Sequence, residues 1–285
     1  MSRDLVLGTV AVVLCGAAMA LLGLIPIRGS GTDAVRVGAR SLERKYWRSL
    51  WLPALPAAIA FATLIGWRLQ EPDTTDELLR PVGALFALPF AFVWLRAVVK
   101  GVLALRRPAV IPPAVTLGLL APRVEIDPRL RGTLDQAAFT AVVAHEEAHV
   151  AHRDPLRIWL AQIVTDAQWP SPWARHRLDL WVDALEMARD EEARLGGTRG
   201  EDLAAAVIAV ARMRPARRGH ALACLTGAEA AFLDRVRRLL IPIPVEAARR
   251  GRVVWVALAL SLVAAVVIGI ECGDSILRAL PFVTT

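Results

Sequence analysis

The sequence predicts a mainly α-helical, polytopic membrane protein with four transmembrane helices and one α+β domain between the third and the fourth. Three observations predict this fold class. The 285 residues are 55% hydrophobic with a mean hydropathy of +0.46, which is too apolar for an ordinary soluble domain of this size. Four apolar stretches reach the roughly 20 residues that a helix needs to cross a hydrocarbon core. A long and more polar stretch separates the last two of them.

The four apolar stretches divide the chain into membrane and soluble parts. The expected parts are three transmembrane helices within 1–105 (about 5–27, 50–69 and 81–105), a domain at 106–252, a fourth transmembrane helix at 253–270 and a short tail at 271–285. The first stretch ends without a small-residue cleavage site, so it is interpreted as a retained span and not as a signal peptide. The three cysteines are too scattered for a paired metal motif or a disulfide framework.

Loop charges predict the orientation of these spans. The net charge of +7 comes from many arginines, which beside apolar spans indicate membrane flanks and not direct nucleic-acid binding. The loop after the first span is basic, with Arg28, Arg36, Arg40, Arg44, Lys45 and Arg48, whereas the next loop is mainly acidic. Because basic loops stay inside, the N-terminus and the 271–285 tail are expected outside and the 106–252 domain in the cytoplasm. The predicted location is therefore a bacterial-type plasma membrane, crossed several times.

Turn and cap signals organise the 106–252 segment into strands and helices. Short strands are predicted within 114–120 and 122–127. Thr133 or Asp135 can cap a helix that runs on to His152. Two prolines within 169–173 precede a second helix that ends near Gly196 and Gly197, and a capping-box pattern at 226–229 precedes a third.

A histidine pair lies in the first of these helices, within the sequence His-Glu-Glu-Ala-His. His145 and His149 are four residues apart and share one helical face, so both imidazoles can bind one ion. Glu146 lies one step around the helix, where a carboxylate can take a proton from a water bound at the open position and later return it to a leaving amine. Glu147 points about 200° away from His145 and receives no metal role.

A catalytic zinc needs a third protein ligand, and the second helix supplies the best candidate. Glu186 and Asp190 are four apart on one face, so Glu186 can bind the metal while Asp190 accepts the second ring N–H of a ligand histidine, most plausibly His145. The sequence thus predicts one Zn²⁺. Its site comprises His145, His149 and Glu186 as ligands, Asp190 behind them and Glu146 as the base.

Other acidic and histidine side chains compete for these roles. Glu191 and Glu192 turn away from the face of Glu186, and Asp183 has no acidic partner four residues further on. His152 returns to nearly the face of His145 but lies about 10.5 Å further along the helix axis, which is too far to share an ion.

These residues and this topology resemble the membrane metallopeptidases of the beta-lactam sensor-transducer (antirepressor) type, which are related to the HtpX and CAAX-prenyl proteases. The resemblance rests on 116–124, 145–156 and 186–193 and covers most of residues 110–240. It implies a gluzincin-like metallopeptidase domain in 106–252. It also implies a zinc-dependent endopeptidase that cleaves a cytoplasmic protein in signal-regulated proteolysis, with a winged-helix transcriptional repressor as the leading substrate.

The chain departs from this family at its C-terminal end. The sensor-transducers carry an extracellular penicillin-binding domain after the last span, whereas 271–285 contains no Ser-x-x-Lys motif. Two alternatives remain open: quality control of membrane proteins, as in the HtpX relatives, and a non-catalytic membrane signalling or scaffold protein with a structural ion. The expected partners are the protein substrate and the lipid bilayer, with a homodimer left open.

Overall fold

The computed structural model describes residues 38–56, 58–59, 81–105, 112–169, 171–213 and 232–243, which are mainly helical. In chain order the helices are α1 (Ala39–Trp51), α2 (Pro81–Ala104), α3 (Pro128–Thr133), α4 (Gln136–Ala151), α5 (Asp154–Ala167), α6 (Pro172–Leu195), α7 (Gly200–Met213) and α8 (232–240). A 3-10 turn, Leu52–Ala54, follows α1. The strands are β1 (Ala114–Leu117) and β2 (Arg123–Ile126).

The two strands form an antiparallel hairpin with Ala114 opposite Ile126. The loop between them depends on Gly118, which has a φ of +100°, because a Cβ at this position would lie 2.6 Å from the carbonyl oxygen of Ala121. Both strands lie within the segments predicted as strands. Thr116 of β1 contacts α4, so the hairpin covers the helix that carries the two histidines.

The beginning and the end of α4 have clear local causes. Asp135 is its N-cap, because the carboxylate accepts a hydrogen bond from the backbone N–H of Ala138 at 2.8 Å, which confirms one of the two predicted caps and rules out Thr133. At the other end Arg153 adopts a left-handed conformation with a φ of 51°. This turn lets α5 begin at once with Asp154, so that the first residue of α5 lies against the last turn of α4.

Helix α6 carries the largest part of the core. One cluster joins α1, α5 and α6 and contains Leu42, Tyr46, Leu50, Ala161, Leu178, Trp181, Ala184 and Leu185. A second joins α4, α6, α7 and α8 through Ala141, Ala193, Leu203, Ala204 and Leu239. A third places α3 between α4 and α7 through Leu130, Ala138, Val142 and Ala206. Because α6 packs on both α1 and α4, it holds its acidic residues against the histidine helix.

The predicted architecture of four transmembrane helices is wrong. In the described ranges, no helix combines the length and the apolar character that crossing a bilayer requires. The same finding contradicts the transmembrane assignment and the multi-pass membrane location with an outer N-terminus. The predicted spans at 5–27 and 253–270, and most of the one at 50–69, lie outside the described residues.

Two described helices show why apolar length was misleading. The apolar stretch that starts at Leu50 begins as the last turn of α1, where Leu50 is buried against α6. In α2, the side chains of Arg96 and Lys100 both contact Asp166 of α5, at 3.4 and 3.0 Å. The hydropathy of a segment depends only on its own residues. It therefore cannot show the apolar surface or the charged side chain that a helix distant in sequence places against it.

Candidate metal centre

Helices α4 and α6 bring the three predicted metal ligands together. The Nε2 atoms of His145 and His149 lie 3.1 Å apart. Oε2 of Glu186 lies 3.5 Å from Nε2 of His145, and Oε1 lies 3.6 Å from Nε2 of His149. Ligand atoms around a tetrahedral ion with bonds of about 2.1 Å are separated by about 3.4 Å. The donor atoms therefore fit one ion of the size of Zn²⁺, between two buried imidazoles and a half-buried carboxylate.

Each histidine has an aspartate at its other ring nitrogen. Oδ1 of Asp190 lies 2.8 Å from Nδ1 of His145, and Oδ2 of Asp154 lies 2.9 Å from Nδ1 of His149. The first contact lies off the direction of the ring N–H and is an ion-pair contact, whereas the second is an aligned hydrogen bond. Both carboxylates leave the Nε2 atoms facing Glu186, which is the orientation that metal-ligating histidines need.

Asp154 received no role from the sequence, although it follows His149 by five residues inside the 145–156 segment. It is fully buried, and it accepts hydrogen bonds from Arg189 at 2.5 and 3.1 Å and from Arg157 at 2.9 Å. Burial raises its pKa, but the His149 and Arg189 contacts outweigh this effect and hold the pKa well below its usual range. The left-handed turn at Arg153 brings this anion to the ligand helix.

Arg235 of α8 is a second residue of the site that was not predicted from the sequence. Its Nη1 lies 3.0 Å from Glu186, and its Nε and Nη2 lie 2.7 and 2.9 Å from the two oxygens of Asp190. Nη2 is also 3.5 Å from Nε2 of His145. No local pattern marks this arginine, because its position depends on how α8 packs against α4 and α6 through Leu239 and Val236.

These neighbours shift the pKa values of the site. Burial lowers the pKa of His145, but the charge of Asp190 and the contact with Glu186 outweigh this and raise it to about 9. Burial raises the pKa of Asp190, but Arg235 and His145 bring it down to about 2. Removal from water likewise raises the pKa of Glu186, and Arg235 with His145 holds it well below its usual range. Both carboxylates are therefore anionic at neutral pH.

The predicted base, Glu146, is buried on α4 beside the two histidines. The Thr116 hydroxyl lies 2.8 Å from its Oε2 and 3.0 Å from its backbone oxygen, so the single hydroxyl proton is shared between two acceptors. Strand β1 thereby fixes the direction of the carboxylate. No sequence pattern marks Thr116 as part of the site, although the 116–124 segment begins with it.

The competing residues are not among the clustered donor groups of the described structure. Nε2 of His152 contacts the Glu192 carboxylate at 2.7 and 2.9 Å. Glu191 accepts a hydrogen bond from the backbone N–H of Ala39 at 2.8 Å. Asp183 and Glu147 are exposed.

The site defines a class of metal centre with two histidines and one glutamate. Comparisons with known proteins add no family: no family model matches the chain, and neither the curated proteins nor the solved structures contain a match. The assignment therefore depends on geometry, by which His145, His149 and Glu186 could bind a metal ion.

Proposed function

We propose that this chain is a zinc-dependent endopeptidase. The supporting observation is the convergence of His145, His149 and Glu186 within ligand distance, with an aspartate behind each imidazole. Imidazole and carboxylate are common zinc donors, and structural zinc sites are closed by four protein ligands whereas catalytic sites use three. In the described part of the chain the cluster has three members, which favours a catalytic site over a structural one.

Zinc held by these residues would polarise a peptide carbonyl and lower the pKa of water toward 7. The remaining steps belong to the side chains of the protein. Glu146 accepts the proton of the attacking water and delivers it to the leaving amine. Because Thr116 contacts Oε2, the Oε1 atom of Glu146 is the one left for this proton. Before a metal binds, Arg235 holds the carboxylates of Glu186 and Asp190 in place and keeps both ionised.

A protein substrate suits the surroundings of the site. The Glu186 side chain is 33% exposed, so the ligand cluster opens to solvent. Strand β1 lies beside Glu146, and an extended substrate can pair with an edge of the hairpin. The family resemblance supports a winged-helix transcriptional repressor as the first candidate, with its cleavage releasing gene expression.

The test compares the full-length wild-type chain with Glu146→Gln. The probes are a mixture of quenched fluorescent peptides, denatured casein and any winged-helix repressor encoded beside this gene. The variant should retain one zinc per chain while its cleavage rate falls by about 10² to 10⁴. Glu147→Gln is the matched control, because it makes the same change at an exposed position of α4 and should cleave like the wild type. Equal cleavage by the wild type and Glu146→Gln, or a wild type that binds no zinc, would refute the proposal.

A further inference from the structure

Helix α1 is linked to the metal centre by a series of charged groups. Glu43 of α1 forms an ion pair with Nη2 of Arg157 on α5. Nη1 of the same arginine donates to Oδ1 of Asp154 at 2.9 Å, and Oδ2 of Asp154 lies 2.9 Å from Nδ1 of His149. The Glu43 side chain is 8% exposed and that of Asp154 is 0% exposed, so solvent screens these contacts little.

The guanidinium group of Arg157 is also held by two aromatic rings. It lies 5.0 Å from the ring centroid of Trp47 on α1 and 5.6 Å from that of Trp181 on α6. Such stacking is favourable for a cation over the face of tryptophan. Helix α1 therefore supplies both a carboxylate and a ring to Arg157. Since the guanidinium group is rigid and planar, a displacement of Nη2 by Glu43 also changes the hydrogen bond from Nη1 to Asp154.

A second contact ties α1 to the opposite side of the centre. The backbone N–H of Ala39, the first residue of α1, donates to the buried carboxylate of Glu191 at 2.8 Å. Glu191 directly follows Asp190, which contacts His145. The beginning of α1 is thus bound to the chain neighbour of Asp190, and Glu43 in the second turn is connected to His149 through Arg157 and Asp154.

We propose that α1 positions the metal centre, and that Glu43 is a positioning residue for His149 that acts through Arg157 and Asp154. The inference rests on the proposed function, because it takes His149 to be a zinc ligand. Without the Glu43 carboxylate, Arg157 loses one of its two anionic partners and holds Asp154 less firmly. The orientation of the imidazole is then less fixed, and metal affinity falls although no ligand has changed.

The test measures zinc affinity by chelator competition and the visible absorption spectrum of the cobalt(II)-substituted full-length chain. Asp154→Asn removes a partner that touches the ligand and should weaken zinc binding about 10-fold to 100-fold. Glu43→Gln acts two residues further out, through Arg157, and should weaken it by about threefold to tenfold, with an altered cobalt spectrum. Glu43→Asp retains the charge and should restore part of the affinity.

Two controls separate positioning from stability. Glu201→Gln makes the same chemical change at an exposed ion pair with Arg199. Leu50→Val removes one buried methylene group two helical turns away from Glu43 and leaves Glu43, Trp47 and Arg157 in place. Both should leave the zinc affinity and the cobalt spectrum unchanged, although Leu50→Val should lower the thermal unfolding temperature.

The outcomes distinguish this inference from the proposed function. If Glu43→Gln lowers only the unfolding temperature and binds both metals like the wild type, the positioning role is wrong. If that variant does not fold, Arg157→Lys gives the same test, because lysine keeps the charge but loses the fork and the stacking. An unchanged affinity and spectrum in Arg157→Lys would overturn the inference. A wild type that binds neither zinc nor cobalt would instead overturn the proposed function, and this inference with it.

Discussion

Zinc binding at this centre should release a proton and should weaken as the pH falls below about 9. The pKa of His145 is raised to about 9, so at pH 7 its imidazole is protonated when no metal is bound. A histidine must be neutral to bind a metal ion. Its Nε2 lies 3.1 Å from Nε2 of His149, where its proton can be shared in a hydrogen bond. Proton and metal therefore compete for the same nitrogen atom.

The distance between pH 7 and this pKa sets the expected magnitude. Each pH unit below a pKa of about 9 lowers the fraction of neutral His145 tenfold. The Kd for zinc should thus be about 100-fold higher at pH 7 than well above pH 9, a difference in binding free energy of ~3 kcal/mol. Glu186 and Asp190 add nothing to the slope in this range, because Arg235 and His145 hold their pKa values low.

Asp190→Asn should remove most of this pH dependence. Burial has the largest effect on the pKa of His145 and lowers it. The charge of Asp190 has the next largest effect and is the main cause of the raised pKa. Its loss should bring the pKa back toward or below the ordinary value of 6.5, so that little proton is released at pH 7. The lost contact at Nδ1 should also weaken zinc binding at high pH by about 10-fold to 100-fold.

The assay is chelator competition between pH 6 and 9.5, with calorimetry in buffers of different ionisation enthalpy to count the protons released. The wild type should release about one proton per zinc at pH 7. Asp179→Asn, at an exposed position of the same helix, should behave like the wild type. A wild-type Kd that changes by less than about threefold between pH 7 and 9, or an equal slope in Asp190→Asn, would refute the reasoning.

Three further substitutions test the neighbours of the site. Arg235→Gln leaves a buried carboxylate without its cation, so the free energy of urea unfolding with chelator present should fall by about 3 kcal/mol, and an unchanged value would count against that ion pair. Thr116→Val removes the hydroxyl that orients the Glu146 carboxylate, so kcat/KM should fall about tenfold at unchanged zinc affinity. Unaltered kinetics would show that Thr116 has no role in catalysis. His152→Gln should bind zinc normally, because His152 contacts Glu192, and a large loss of zinc would make it a ligand.

Local patterns were sufficient to place side chains on shared helical faces. The spacing of four residues between His145 and His149 and between Glu186 and Asp190 needs only helix geometry, and the structure brings both pairs to one point. The Asp135 cap and the glycine end of α6 are equally local signals. The metal-site hypothesis could be made from the sequence for this reason.

The groups that orient those side chains could not be predicted in the same way. Arg235 lies 45 residues beyond Asp190, and its position depends on how α8 packs. Asp154 needs the left-handed turn at Arg153, which arginine rarely adopts and no propensity predicts. Glu43 was placed in a loop between two membrane spans, because segment hydropathy cannot show that α1 packs on α6.

The arginine at the centre explains how the acidic residues can be held ready before a metal binds. Glu186 and Asp190 would repel each other if both were ionised without a cation, and Arg235 supplies that cation to each of them. Zinc binding adds two positive charges to the site and expels the proton of His145, so the site gains one net positive charge. This charge is gained close to Arg235, whose Nη2 lies 3.5 Å from Nε2 of His145. The guanidinium must therefore retain Asp190 and move away from the ligand atoms. Arg235 thus lowers the affinity for the metal but holds the ligands in place before it binds. A variant with a neutral residue at position 235 should therefore bind zinc more tightly, in a less ordered site.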